Sequence, residues 1–246
     1  MGALVDFIVV GAQKAGTTAL FDYLGDEPGL ALSDVKEVHF FDDENLDWTS
    51  PDYGRYHARF PAPDGRLRGE ATPIYLYWPQ SLERIRAYNP AVRLILMLRD
   101  PVQRAWSHWR MEYARGVETM PFARCIREGR RRLFDAEPWG HHREFSYVER
   151  GFYGEQVERL LQLFARDQLL ILQSDDLRAD PNRVLAAVRG FLGLPSRPPA
   201  VAPREVHVGR EMDYGSTLTP ADAEFLREIY ARDRARLAAL TGLSFN

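Results

Sequence analysis

Cysteine is almost absent from this sequence, which contains one, Cys125, among 246 residues. A disulfide within the chain is therefore excluded, and so is a zinc site built from cysteines. Long apolar runs are missing as well. The first apolar run covers residues 7–10, whereas a membrane-spanning helix needs about 20 residues, and no basic segment with an apolar signal core opens the sequence. We therefore expect a cytoplasmic protein without a membrane partner.

An excess of basic residues is the third absence. Lys and Arg total 32 against 35 for Asp and Glu, which gives a net charge of -3 at pH 7. Nucleic-acid-binding domains usually carry the opposite balance, so we expect no nucleic-acid partner. The length suits one α/β domain with long loops, and we predict a single domain over residues 1–246. The composition leaves the oligomeric state open.

The strongest functional pattern in the sequence lies in residues 6–24, DFIVVGAQKAGTTALFDYL. Its apolar run predicts a short buried strand, and the spacing after Gly16 predicts a helix. The turn between them, from Gly11 to Gly16, gathers backbone N–H groups at the start of the helix, where the helix dipole favours an anion. Lys14 adds a positive charge. We therefore expect a phosphate or a sulfate over residues 11–18.

This turn differs from an ATP-binding P-loop in the position of its lysine. In the pattern GxxxxGK[ST] the lysine follows the second glycine, and a magnesium-binding Ser or Thr follows the lysine. Here Thr17 and Thr18 follow Gly16, and Lys14 lies inside the turn. A magnesium-bound triphosphate is therefore disfavoured. The structural alternative is an ordinary strand-to-helix turn in which Thr17 caps the helix.

A second polar motif, KEVHFFDD, occupies residues 36–43. If this segment is extended, the two-residue period of a strand places Glu37 and His39 on the same side, so that two titratable groups face one site. The edge of a half-exposed strand shows the same alternation, and the pattern by itself favours that alternative. Residues 42–44 are interpreted as a solvated acidic turn, because they lack the ligand spacing of a calcium loop.

Strand and helix patterns alternate along the rest of the chain. The segment 92–98, VRLILML, has the strongest central-strand pattern, and Leu169–Gln173 predicts another core strand. Helices are predicted over Ser81–Tyr88, over residues 147–165, and from Thr219 to about Leu240. This alternation predicts an α/β fold of three layers, P-loop-like, in which helices flank a central parallel sheet.

A second anion-binding group is predicted where the 92–98 strand ends. Asp100 can cap the helix that follows, and Arg104 and Ser107 lie on one face of that helix, close in sequence to Arg99. The alternative is that Arg104 forms a surface ion pair and Ser107 is an ordinary helix residue. Two anion sites at the carboxyl ends of parallel strands suit a ligand with two separated phosphate-like groups.

Six segments of the chain occur in the order in which a known family carries them. They are GAQKAGTT, KEVHFFD, VRLILMLRDPVQRAWSHW, GFYGEQVERLLQLF, LLILQSDDLRADP and RGFLGLP. In this order the chain resembles the sulfotransferases that use 3′-phosphoadenosine 5′-phosphosulfate (PAPS), and most nearly the branch that includes the heparan sulfate sulfotransferases. The resemblance runs from Phe7 to about Pro195.

This resemblance implies that PAPS is the sulfuryl donor and PAP the product, without a metal. The glycine-bounded turn would hold the 5′-phosphosulfate, and two side chains after the 92–98 strand would hold the 3′-phosphate. A late loop, which here lacks the lysine of the family pattern, would close on the nucleotide. The implied residues are Lys14, Ala15, Gly16, Thr17 and Thr18 for the turn, Arg99 and Ser107 for the 3′-phosphate, and Gly209 and Arg210 for the late loop.

The same resemblance implies an enzyme that transfers a sulfuryl group to an acceptor hydroxyl. Glu37, in an E-x-H-F-F motif, would be the general base, and Lys14 would stabilise the leaving phosphate. His39 would orient the acceptor or would itself be the base. Ala71 stands where the heparan-type enzymes carry a lysine, which favours a small-molecule or simpler carbohydrate acceptor over a polysaccharide.

Two other classes of function are compatible with the nucleotide-binding pattern. A P-loop-type kinase would turn over ATP with magnesium, and the missing GK[ST] argues against it. A non-catalytic nucleotide-binding protein would bind the nucleotide without transfer, and the pairing of Glu37 with His39 argues against that.

Overall fold

The computed structural model describes residues 4–134, 136, 140, 142–198, 202, 204 and 212–245. The chain forms two compact units. The first, Met1–Leu98 with Gln162–His207, is named the sheet unit, and the second, Arg99–Leu161 with Val208–Asn246, is named the helical unit. The single domain expected over residues 1–246 stays a prediction.

Parallel strands form the core of the sheet unit. They are β1 Phe7–Gly11, β2 Leu30–Leu32, β3 Leu67–Ala71, β4 Arg93–Leu98 and β5 Leu169–Gln173. Their order in the sheet is β2-β3-β1-β4-β5, and every pairing is parallel. β1 is buried along its whole length, as its apolar sequence FIVVG predicts. The predicted central parallel sheet is therefore confirmed, and the carboxyl ends of its strands lie along one edge.

Helices alternate with these strands along the chain, as expected for an α/β fold. Those in the described part of the chain are α1 Thr17–Gly25, α2 Tyr53–His57, α3 Ser81–Tyr88, α4 Pro101–Ala114, α5 Phe122–Glu128, α6 Tyr153–Leu163, α7 Ser174–Ala179, α8 Pro181–Leu192 and α9 Pro220–Thr241. The helices predicted over Ser81–Tyr88 and after Thr219 are confirmed. Each of these helices is too short or too polar to cross a membrane.

Local sequence explains where three of the helices begin. α4, α8 and α9 each start at a proline, which is preceded by a side chain that accepts a hydrogen bond from the first turn. Asp100 accepts from Gln103 N–H at 2.8 Å, and Asp180 accepts from Arg183 N–H at 3.1 Å. At α9 the Thr219 hydroxyl plays the same part. The helix starts predicted after Asp100 and at Thr219 are confirmed.

The helix predicted over residues 147–165 is shorter in the structure. α6 begins only after a 3-10 turn at Glu149–Gly151. Arg150 is buried there, and its guanidinium donates to the Ser146 hydroxyl at 2.7 Å and to the Arg143 carbonyl at 2.6 Å. These bonds to the preceding segment hold the residues before α6 in a turn, which the helical spacing of the sequence does not reveal.

The helical unit has an apolar core of its own. Trp109 of α4 contacts Phe122 of α5, and Leu226 and Tyr230 of α9 belong to the same buried cluster. Tyr230 also donates a hydrogen bond to the Val148 carbonyl at 2.8 Å. Aromatic rings are thus a substantial part of this buried cluster.

A glycine of β3 provides a sharp test of packing in the sheet unit. A Cβ atom on Gly69 would lie 2.0 Å from the Phe7 ring of the paired strand β1. Gly69→Ala should therefore lower the free energy of unfolding by about 1–3 kcal/mol. Gly190→Ala in α8 is the matched control, because its Cβ would meet nothing within 4 Å, and it should raise stability by roughly 0.5–1 kcal/mol. Urea denaturation of both variants measures this, and equal effects of the two would contradict the packing.

Candidate active site

A tight turn joins β1 to α1 at the carboxyl edge of the sheet. Ala12 N–H donates to the Met97 carbonyl of β4 at 2.7 Å, and the first helical bond runs from Leu20 N–H to the Gly16 carbonyl at 3.1 Å. Gly16 is the N-cap residue of α1 with φ of 89°, a left-handed value that favours glycine, and no side chain caps this helix. The alternative in which Thr17 caps the helix is therefore wrong, since Thr17 is the first helical residue.

The surroundings of this turn suit a bound anion. The first N–H groups of an α-helix have no partner within the helix, and the dipole makes that end positive. Lys14, half-buried with φ of 68°, lies in the turn itself. A Cβ on Gly11 would lie 2.7 Å from the Leu76 side chain, so glycine is required there as well. Lys14, Ala15 and Gly16 lie in the turn, and Thr17 and Thr18 begin α1; that these residues hold a phosphosulfate stays a prediction.

Ser174 is a residue of this region that the sequence did not single out. It is the first residue of α7, directly after β5, and its Cβ lies 3.6 Å from the position of a Cβ on Gly16. Ser174 is 6 % exposed, and its hydroxyl has no hydrogen-bond partner among the described residues. Its place directly after a predicted core strand was the one signal that could have identified it.

The Glu37 and His39 side chains meet, but not by the predicted route. The segment after Leu32 is not a strand, because Glu37 and His39 have left-handed φ values of 64° and 53°. Glu37 N–H donates to the Ala71 carbonyl at the end of β3, 2.9 Å away, and the backbone turns there. The extended conformation expected for the segment that contains Glu37 and His39 is therefore wrong. The side chains still approach, with Glu37 Oε2 3.5 Å from His39 Nε2.

Charges alternate in sign around this turn. Lys36 Nζ lies 2.5 Å from Glu37 Oε1, and His39 Nδ1 lies 2.9 Å from Asp42 Oδ2. Asp42 is fully buried, so its interpretation as part of a solvated acidic turn is wrong. Glu44 is also engaged, in a two-armed ion pair with Arg84. The sequence missed Asp42 because acidic runs are usually solvated, and only the fold places this one beneath His39.

The ion pairs fix the protonation states at neutral pH. Burial opposes ionisation of Glu37, but hydrogen bonds from His39 and Lys36 and the charge of Lys36 outweigh it and lower the pKa of Glu37 to about 2. Hydrogen bonds to Asp42 and Glu37 raise the pKa of His39 to about 9 against the effect of burial. Glu37 is therefore a carboxylate and His39 an imidazolium over the neutral range.

The second predicted anion-binding group lies in the helical unit. Arg99 and Ser107 are half-buried. Arg99 lies before the first residue of α4, and Ser107 lies within this helix. Arg104 is fully buried and donates to the Tyr147 carbonyl, so the prediction that it joins Arg99 and Ser107 is wrong, and so is the alternative of a surface ion pair. The spacing of residues along a helix shows which of them share a face. Which face is buried is decided by the packing of the helix against other parts of the protein.

Gly209 and Arg210, which are predicted to form the late loop that closes on the nucleotide, lie outside the described residues. Within the described ranges, no cluster of three or more His, Cys, Asp or Glu side chains has the geometry of a metal site.

Comparison with known proteins gives a consistent family. A family model described as a sulfotransferase domain matches residues 4–208. Human heparan sulfate glucosamine 3-O-sulfotransferase 3B1 is 30% identical over 191 residues, which cover 76% of this chain and 45% of the relative. The mouse heparan sulfate glucosamine 3-O-sulfotransferase 6 is 30% identical over 193 residues, covering 76% and 52%. The chain thus spans about half the length of the curated relatives it matches.

Solved structures agree with this comparison at the level of the fold. A sulfotransferase from Alicyclobacillus acidocaldarius superposes with a TM-score of 0.82 at 27% identity, covering 99% of this chain and 98% of that one. A mouse sulfotransferase complexed with PAP has a TM-score of 0.57 at 14% identity, covering 95% and 86%. The second likeness shows the fold, and that protein binds PAP.

The pairing of Asp42 with His39 is directly testable. Asp42→Asn removes the largest favourable contribution to the imidazolium, so the pKa of His39 should fall from about 9 toward its ordinary value. Titration of the ring C–H signals by NMR measures this, with the His39 signal assigned from a His39→Gln variant. Asp43→Asn is the matched control, because the Asp43 carboxylate accepts from Asn45 instead. A His39 pKa that is the same in both variants would contradict the pairing.

Proposed function

Because this chain belongs to the sulfotransferase domain family, we propose that it is an enzyme that transfers the sulfuryl group of PAPS to an acceptor hydroxyl. The single observation that carries the proposal is that the sheet unit contains two features together. One is the carboxylate–imidazolium pair at the end of β3, and the other is the candidate anion site at the start of α1, after β1. The first can accept the proton of a hydroxyl, and the second can hold a phosphosulfate.

The residues present fit the phosphosulfate end of PAPS. No side chain caps α1, and Lys14 lies in the turn before it. The buried Ser174 hydroxyl beside Gly16 is available to form a hydrogen bond with the phosphosulfate. A loop that served only as a connection would not require a buried, unsatisfied hydroxyl. When bound, PAPS supplies an activated sulfuryl group; Lys14 with the first N–H groups of α1 would hold its 5′ end. Lys14 would also stabilise the negative charge that develops on the leaving phosphate oxygen.

Glu37 is the better candidate for the general base. Its carboxylate is ionised at neutral pH and can take the hydroxyl proton of the acceptor as the new oxygen–sulfur bond forms. His39 is already protonated at that pH, so its ring cannot take a proton, and its charge suits the orientation of Glu37 and the acceptor. Asp42 in turn holds the imidazolium from beneath.

The position of Lys36 supports the assignment of Glu37 as the general base. Only two of the 32 basic residues are lysines, Lys14 and Lys36, and both lie in the candidate site. The side chain of Lys36 is 17% exposed and contacts Glu37. We assign it the role of keeping Glu37 ionised. The compact ammonium of lysine, unlike the broad fork of arginine, fits against a single carboxylate oxygen.

The acceptor is proposed to be a small molecule or a carbohydrate. Ala71 is fully buried, and its carbonyl is bonded to Glu37 N–H, so the position beneath the turn offers no cation for a sulfated polysaccharide. The names of the curated relatives include heparan sulfate, which is a property of those proteins.

A cytoplasmic location, the absence of a metal requirement, and the 3′-phosphate roles of Arg99 and Ser107 are part of the same proposal.

Turnover of radiolabelled PAPS with a panel of small hydroxylated acceptors tests the proposed reaction. Wild-type protein should label at least one acceptor, whereas Glu37→Gln should lower the rate by roughly two to four orders of magnitude with little change in PAP affinity. Asp43→Asn serves as the control and should retain the rate. No labelled acceptor with wild-type protein would refute sulfuryl transfer, and a milder loss in Glu37→Gln than in His39→Ala would make His39 the base.

Arg99 can be tested with two nucleotides that differ by one phosphate. If Arg99 and Ser107 hold the 3′-phosphate, PAP should bind more tightly than adenosine 5′-phosphate, and Arg99→Ala should remove about 1.5–3 kcal/mol of that difference. Ser107→Ala should act in the same direction with about 0.5–1.5 kcal/mol. Titration calorimetry measures both, and adenosine 5′-phosphate is the internal control. An equal loss for the two nucleotides would refute the 3′-phosphate assignment.

A further inference from the structure

The support that Asp42 gives to His39 depends on how Asp42 itself is held. Asp42 Oδ2 lies 2.9 Å from His39 Nδ1, and His39 Nε2 lies 3.5 Å from Glu37 Oε2. The strength of a charged hydrogen bond depends on the distance and direction of the carboxylate. The backbone on either side of Asp42 sets the direction of its side chain, so the contacts that hold this backbone also position the His39 ring.

Arg84 of α3 holds the backbone before Asp42. Its Nη1 donates to the Phe41 carbonyl at 3.0 Å, and the Ser81 hydroxyl donates to the same oxygen at 3.2 Å. Phe41 is fully buried, and its N–H donates to the buried Tyr75 hydroxyl at 3.4 Å. Both backbone polar groups of Phe41 are therefore engaged, which fixes the direction in which the chain enters Asp42.

The same guanidinium holds the chain after Asp42. Nη1 also donates to Glu44 Oε1 at 2.9 Å, and Nη2 donates to Glu44 Oε2 at 2.8 Å, so the two charged groups form a two-armed pair. The guanidinium also lies over the Trp48 ring, 4.2 Å from its centroid, and Trp48 Nε1 donates to the Asp43 carbonyl at 2.9 Å. The residues on both sides of Asp42 are thus bound to one side chain, directly or through Trp48.

The position of this ion pair argues for more than the attachment of a helix. The side chains of Arg84 and Glu44 are 11% and 28% exposed, so water screens the pair less than it screens a surface ion pair. A pair that only fastened α3 to its neighbour could contact that neighbour at many points. This one contacts the residues that bracket Asp42, where the side chain of Asp42 turns toward His39.

We propose that Arg84 is a positioning residue for the Glu37–His39 pair and acts on it through Asp42. Arg84 binds the residues on either side of Asp42, the Asp42 carboxylate contacts the His39 ring, and that ring contacts Glu37. The planar fork of arginine is required, because a lysine ammonium cannot serve a carbonyl and two carboxylate oxygens in the same arrangement. The inference rests on the proposed function only in treating the Glu37–His39 pair as catalytic.

Titration of the His39 ring by NMR tests this path without depending on turnover. The carboxylates that contact the ring are those of Glu37 and Asp42. Arg84→Lys keeps the positive charge but loses the fork, so Asp42 is held less firmly and the pKa of His39 should fall from about 9 by about one pH unit. An unchanged pKa of His39 in this variant would overturn the proposal.

Arg86→Lys is the matched control for this titration. Arg86 lies on the same helix, and its guanidinium donates to the Pro90 carbonyl. The same loss of a fork should therefore leave the pKa of His39 at its wild-type value. An equal fall in Arg84→Lys and Arg86→Lys would overturn the specific role of Arg84.

Two further variants separate a path through Asp42 from a general loss of structure. In Asp42→Asn this support of His39 is already gone, so adding Arg84→Lys should change the pKa of His39 little further, whereas effects that add in full would overturn the path. Ser81→Ala removes the second donor to the Phe41 carbonyl without changing any charge. It should lower the pKa of His39 by less, and if Arg84→Lys does not fold, an unchanged pKa in Ser81→Ala would overturn the proposal instead.

Turnover with PAPS measures the catalytic part of the inference. Arg84→Lys should lower kcat about ten- to a hundredfold and leave PAP affinity unchanged, because it displaces the proton acceptor and not the anion-binding turn. Wild-type protein without turnover on any acceptor would count against sulfuryl transfer, while the ring titration would still decide the positioning role. A lowered pKa of His39 with full turnover in Arg84→Lys would overturn the catalytic part.

Discussion

Parallel pairing of the strands is the constraint on which the candidate site depends. Because β1, β3 and β5 run in the same direction, the segments that follow them begin at one edge of the sheet. The anion-binding turn follows β1, Ser174 follows β5, and the last residue of β3 holds the Glu37–His39 turn through its carbonyl. Segments far apart in the sequence thus supply one edge with a candidate anion site and a candidate proton acceptor.

Alternating charge then determines what that edge can do. Lys36, Glu37, His39 and Asp42 carry positive, negative, positive and negative charge in sequence order, and each contacts a neighbour of opposite sign. Removing any of these charges from water is unfavourable, and the pairing offsets that cost. A carboxylate with so low a pKa is a weak base in solution. In the proposed reaction its contribution would therefore come from its fixed position beside the acceptor as the oxygen–sulfur bond forms.

The fold and the tight turn after β1 could be predicted because they depend on local patterns. The apolar run of β1, the glycines that bound the turn, and the proline after Asp100 each prescribe a backbone conformation over a few residues. The pairing of Glu37 with His39 was predicted for the wrong reason. A strand period was expected to align the two side chains, and two left-handed residues align them instead. Sequence patterns favour glycine or asparagine at such positions, so these two residues gave no signal.

The sequence by itself determined the α/β class, the central parallel strands, the glycine-bounded turn with Lys14 and the motif with Glu37 and His39. These follow from apolar runs, glycines and charged residues that act over a few positions. Only the tertiary structure decided that Asp42 lies buried beneath His39, that Arg104 faces the interior, and that Ser174 lies beside Gly16. It also decided that the buried Tyr75 hydroxyl accepts a hydrogen bond from the Phe40 N–H directly after the turn. The physical reason is that burial and long-range hydrogen bonds depend on which segments pack together, and one-dimensional spacing does not contain that information.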